Sequence, residues 1–185
     1  LAPVRSTTLL LLLAVAAGCT APVQRYDVLI THARLVDGTG RVREEAVIAI
    51  SGDRIRAILS PDEPAEGALT IDAAGRTVMP GLIDTHVHVL AFSDAVDEKT
   101  LAERIETSVK DNLSAFLAHG VTTIRSAGDP EDAILELRQS LEEGTMKGPR
   151  LLVVGPVVSA PEGHPSVTIF AENPWLREQI TAEVA

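Results

Sequence analysis

Apolar and polar residues alternate from Tyr26 to Leu35, with Val28, Ile30 and Leu35 on the apolar side, and this period of two predicts a strand. The turn cluster Asp37-Gly38-Thr39-Gly40 ends it. Ala46 to Ile50 predicts a second strand and Arg54 to Leu59 a third, with the tight Ser51-Gly52-Asp53 turn between them making a hairpin. Pro61 to Gly67 reads as a loop, and Leu69 to Ile71 and Thr77 to Met79 as short strands on either side of the Ala74-Gly75 turn. Together these elements predict a small, mostly antiparallel β-subdomain over residues 26–80.

The pattern changes at Gly81. Leu82 to Val89 is strand-like, and polar Ser93 to Thr100 follows it. Leu101, Ile105, Val109, Leu113 and Leu117 recur every four residues, which predicts a helix from Leu101 to His119 ended by Gly120. Val121-Thr122-Thr123-Ile124 is a β-branched strand. Asp129 or Pro130 opens the next helix, with Ile134, Leu137 and Leu141 on one face and a stop near Gly144; Asp129 is expected as its N-cap. Leu151-Leu152-Val153-Val154 is a continuous apolar run, expected as a strand buried on both faces. A loop from Gly155 to Pro165 and a helix from Trp175 to Val184 follow. Strands alternating with helices predict βα units, an α/β class and a parallel sheet.

At 185 residues, 45% hydrophobic and 23% charged, the chain has the means to bury a core, and with 3% aromatics it must fill that core with aliphatic side chains. A net charge of −10 with no basic run argues against nucleic acid as a partner. Cys19 is the single cysteine, so no internal disulfide is possible. Arg5 precedes the apolar stretch Leu9 to Ala17, which is too short for an ordinary transmembrane helix, and Ala16-Ala17-Gly18-Cys19 resembles a bacterial lipobox. Residues 1–18 are therefore expected to be a lipoprotein signal peptide, Cys19 the lipidated residue and 19–25 a tether. That would anchor the protein in the cell envelope, on the periplasmic side of the outer membrane.

The densest chemical signal is Pro80-Gly81-Leu82-Ile83-Asp84-Thr85-His86-Val87-His88. Residues i and i+2 of a strand share a face, so His86 and His88 are expected to project together as half of a divalent-metal site. Asp84, two residues before His86, is expected on the same side, either orienting an imidazole N–H or in a capping or barrel-bottom role.

Met79 to His88 resembles the first barrel strand of the amidohydrolase superfamily. Ala33 to Gly40, Ala46 to Ile55 and Ile71 to Arg76 resemble the N-terminal β-structure of the same family, and the match runs from about Tyr26 to about Ser159. The resemblance implies a (β/α)8 barrel. A closed barrel takes roughly 250 residues, whereas Gly81 to Ala185 has room for the first three βα units. The chain is thus expected to be the N-terminal part of a longer enzyme. The resemblance further implies that His86 and His88 hold the first of one or two divalent ions, most often zinc. Such an ion lowers the pKa of a bound water and polarises the scissile carbonyl. The implied substrate is a small molecule or peptide with an amide, cyclic amide or dipeptide C–N bond. The family's remaining ligands (a carboxylated lysine or a glutamate on strand 4, histidines on strands 5 and 6, an aspartate on strand 8) are not matched in this chain. No catalytic residue is assigned here, and the chain alone is expected to be inactive.

Val157 to His164 resembles the imidazolonepropionase-like and Xaa-Pro dipeptidase branch, in which Gly-Gly-His often follows strand 3; Glu162 stands in place of the first glycine. His164 and Arg125 are candidate substrate-binding residues, against the alternatives of a solvent-exposed loop histidine and an internal ion pair. His32 and His119 fall outside the expected site. A cyclic amidase or deaminase of the same superfamily is an alternative, as is a non-catalytic scaffold. The oligomeric state is open.

Overall fold

The computed structural model describes residues 22–91, 94–168 and 170–183, so the expected signal peptide and Cys19 lie outside the described residues. Among the described residues no helix is long and apolar enough to cross a membrane. The chain divides at Met79/Pro80 into two compact units.

The first unit is one sheet built on β1 (Gln24–Val36). β2 (Val42–Ser51) and β3 (Arg54–Leu59) extend it as antiparallel neighbours in the order β3-β2-β1. The expected antiparallel character stops there. β4 (Ala65–Asp72) and β5 (Thr77–Val78) both pair with β1 in parallel. β4 also claims Ala65 to Gly67, which the sequence pattern assigned to a loop. The physical reason is the connection after β3. Instead of folding back beside β3 as a hairpin, the chain crosses to the far side of β1 and enters in the same direction as β1. Ala33, Leu35, Ala46, Ile48 and Ala73 form the core of this unit.

The second unit holds a three-stranded parallel sheet in the order β6-β7-β8, formed by Leu82–Val87, Val121–Ser126 and Arg150–Val153. Between β6 and β7 the chain is helical from Glu98 to Ala118: α1 (Glu98–Arg104), a π-helical stretch (Ile105–Val109) and α2 (Lys110–Ala118). Side chains repeating every four residues drift around an α-helix of 3.6 residues per turn. The wider π turn offsets part of that drift. Val109 and Leu113 accordingly stay buried, while Leu117, further along, is 40% exposed. Asp97 starts α1 as a capping box with Thr100. The Thr100 backbone N–H and hydroxyl both donate to its carboxylate and hold its pKa below the usual carboxylate value.

α3 (Glu131–Glu142) joins β7 to β8. Leu101, Val109, Leu113, Ile124, Ile134, Leu137 and Leu151 form the core between these helices and the sheet. β8 was expected to be buried on both faces. Leu151 is 2% exposed but Leu152 is 49% exposed, because the described helices cover one face of the sheet and β8 lies at its edge. The segment expected as a loop after β8 contains a short strand, β9 (Val157–Ser159). α4 (Pro174–Ile180) ends four residues before the expected Val184, and Thr181–Glu183 turns into β10, which pairs in parallel with β9.

Candidate metal centre

β6 brings His86 to the end of its paired stretch and His88 just past it. Val87, between them, packs against the core. The two imidazole rings meet edge to face, with centroids 5.3 Å apart and planes at 75°. The expected pairing of the two histidines is thus present.

The strand beneath them is not regular. Asp84 is in register with Ile124 and Val87 with Ser126, so three residues of β6 span two of β7. Such a one-residue bulge re-aims side chains and frees backbone polar groups from the ladder. Two side chains take up those groups. The Asp84 carboxylate accepts the His86 backbone N–H at 3.1 Å, and the Arg125 Nε donates to the Thr85 carbonyl at 2.8 Å. Of the readings offered for Asp84, its bond is of the capping kind: the carboxylate holds the His86 amide. Among the described residues Arg125 forms no ion pair; its exposed guanidinium braces the bulge.

A second set of bonds comes from the turn after β7. The Nδ1 of His88 lies 3.0 Å from the Gly128 carbonyl, and since a carbonyl only accepts, this contact places a proton on Nδ1. Gly128 has φ +135°, and a Cβ there would run into the Val157 side chain, so the approach of this carbonyl to His88 requires glycine. Asp129, expected as a helix N-cap, does something else. It is fully buried and accepts the backbone N–H groups of Val89 (2.9 Å), Leu90 (2.8 Å) and Ala91 (2.7 Å), together with the Ser126 hydroxyl (2.6 Å). Pro130 takes the cap position with no side-chain bond, since the Asp129 carboxylate points back to the chain leaving β6. Sequence reading missed this role. Asp after a strand and before a helix looks like a cap, and nothing local reports a partner 40 residues earlier.

His164 is exposed, and its Nδ1 lies 2.7 Å from the Thr168 hydroxyl. Among the described residues, no three His, Cys, Asp or Glu side chains gather as a metal-binding group, so His164 does not join the His86–His88 pair. His119 sits at the end of α2 with its Nδ1 2.8 Å from the Ala115 carbonyl, and His32 pairs with Asp72 in the first unit.

A profile of the amidohydrolase family matches residues 77–184, and the chain belongs to that family. It is 40% identical over 108 residues to adenine deaminase 2 of Agrobacterium fabrum, covering 56% of this chain and 18% of that protein. It is 34% identical over 128 residues to the L-hydantoinase of Paenarthrobacter aurescens, covering 69% of this chain and 26% of the relative. Among solved structures, a prolidase in complex with N-methylphosphonate-L-proline superposes with a TM-score of 0.64 at 29% identity, covering 85% of this chain and 40% of the other. The expected prolidase-like kinship is met by this last likeness. The chain spans well under two thirds of the length of each of these proteins.

Proposed function

We propose that this chain carries the first metal-ligand pair of a hydrolase that cleaves carbon–nitrogen bonds. The observation that carries the reading is the imidazole pair of His86 and His88, with the His88 tautomer set by the Gly128 carbonyl. Metal-ligating histidines characteristically donate their second ring N–H to a carbonyl or carboxylate, which orients the ring and fixes the ligating nitrogen. Two imidazoles on one tetrahedral zinc would place their ring centroids roughly 5 Å apart, given Zn–N bonds of about 2.0–2.1 Å. The observed 5.3 Å fits that arrangement.

A bound divalent ion, zinc first, would supply Lewis acidity and a water of lowered pKa. This chain's residues do the orienting: Gly128 sets the His88 ring, and Asp84 and Arg125 satisfy the bulge that presents His86. A catalytic zinc takes three protein ligands, so the remaining ligands belong, in this reading, to positions beyond the described residues. The three parallel strands with helices on one face are then the opening units of a (β/α)8 barrel, with the histidines at the C-terminal strand ends where barrel active sites lie. Adenine deaminase, hydantoinase and prolidase are names for different substrates that share a C–N bond to be broken. The substrate class proposed here goes no finer than an amide, cyclic amide or dipeptide.

Zinc titration of the full chain by calorimetry tests the metal assignment. Weak one-site binding is expected, lost in His86→Ala and in His88→Ala. Unchanged binding by the double variant would overturn the assignment.

A further inference from the structure

We propose that Asp129 is a positioning residue for His88, holding the backbone that follows the imidazole so that the ring stays on the Gly128 carbonyl with Nε2 as the ligating nitrogen. The inference rests on the reading of His86 and His88 as metal ligands.

Three observations lead to it. First, Asp129 is fully buried, and among the described residues no cation pairs with it. A carboxylate held in that setting must be satisfied by hydrogen bonds alone. Second, its two oxygens accept four donors, which fills the roughly four lone-pair sites a carboxylate offers. Three of those donors are the consecutive N–H groups of Val89, Leu90 and Ala91, a run of converging amides of the kind that cradles anions. These residues lie past the end of β6 and outside any helix, so no ladder or helical bond serves them. Third, the neighbouring residue, Gly128, accepts the His88 Nδ1–H. Adjacent residues of one turn thus grip the imidazole of residue 88 and the three amides directly after it. If the amides slip, the ring and the carbonyl part.

An ordinary structural aspartate would stabilise the loop without choosing a tautomer, and that difference is measurable. In Asp129→Asn one acceptor oxygen becomes an NH2 donor facing backbone N–H or the Ser126 hydroxyl, so at least one of the four bonds is lost. The first readout is the His88 tautomer in metal-free full chain, from 15N shifts of the imidazole. Wild type is expected in the Nδ1–H form, and a folded Asp129→Asn variant in a mixture with the Nε2–H form. Zinc affinity is expected to fall by roughly 10–100-fold, the usual consequence of losing a group that orients a ligand. A folded variant that keeps both the wild-type tautomer and the wild-type zinc affinity overturns the proposal. Should wild type bind no zinc at all, the metal reading falls by itself, and the tautomer alone judges Asp129.

Should Asp129→Asn not fold, amide hydrogen exchange in wild type and in Ser126→Ala decides. The proposal expects slow exchange at Val89, Leu90 and Ala91 in wild type, and faster exchange there, with a weakened Nδ1–H preference, in Ser126→Ala. Exchange at open-loop rates in wild type overturns it.

Discussion

The segments that follow β6 and β8 each present a histidine, and the two are held in opposite ways. After β6, the bonds that fix the corner are long-range: His88 to Gly128 and Arg125 to Thr85 each span 40 residues, and three of the four Asp129 bonds span 38 to 40. After β8, His164 bonds to Thr168, four residues on, and Ser159 to the carbonyl of its own neighbour. Long-range bonds oblige the fold to keep two chain segments in register, so they place a side chain relative to the whole sheet. Local bonds shape a turn but leave its position to packing. The difference teaches that the His-x-His corner is built in advance, whereas the His164 side chain is held by a local bond.

The comparison breaks most severely if the support under the corner is removed. Ile124 is fully buried in the core between the sheet and the helices, in register with Asp84 on one side and Leu151 on the other. Truncating such a side chain removes its transfer energy and leaves a cavity, typically about 2–5 kcal/mol. Ile124→Ala is expected to destabilise by that amount in denaturant unfolding, and to weaken zinc binding along with it. A cost under about 1 kcal/mol would mean the corner does not depend on the helix-packed side of the sheet.

How much of this was legible in the sequence follows the range of the interactions involved. Period-two and period-four patterns report local geometry, and they located the strands up to β8 and the helices between them, but not the short β9 and β10. The pairing of His86 with His88 was legible because it depends on two residues set two apart at the end of one strand. The direction of β4 was not, because parallel pairing with β1 is decided by the route of the chain after β3. Asp129 was misjudged, because the amides it bonds belong to a segment far upstream. Arg125 was recognised as noteworthy, yet its partner is a backbone carbonyl, which carries no sequence signature. The family resemblance was carried by contiguous motifs, and the match to residues 77–184 covers those from Met79 onward.

A smaller effect sharpens the comparison, because it lies where the two segments touch. Gly128 has φ +135°, and an added Cβ would collide with Val157 of β9 while coming within 3.8 Å of the His88 ring. A non-glycine residue forced into that backbone region costs about 1–3 kcal/mol. Gly128→Ala is therefore expected to destabilise by about that much in the same unfolding assay, with the Val157 side chain free to yield some of the space. The informative reading is the His88 imidazole spectrum. A changed tautomer balance at modest cost in stability would show that the carbonyl, and not the surrounding packing, orients the ring; an unchanged spectrum would remove Gly128 from that role.

The smallest effect is expected at His164. Its side chain is exposed and its hydrogen bond to Thr168 closes a turn of four residues, so nothing distant relies on it. Surface substitutions without a buried partner usually stay within about 0.5 kcal/mol, and His164→Ala is expected to fall in that range with zinc affinity unchanged. Two outcomes would alter the contrast between the segments. A loss of about 1 kcal/mol or more would mean the loop after β8 is anchored through this side chain. A loss of zinc affinity would bring His164 into the ligand set, despite its separation from the imidazole pair. Neutrality on both counts leaves His164 as a residue free to meet a substrate, because a side chain that holds nothing in place is the one that can reorient around a ligand at little cost to the fold.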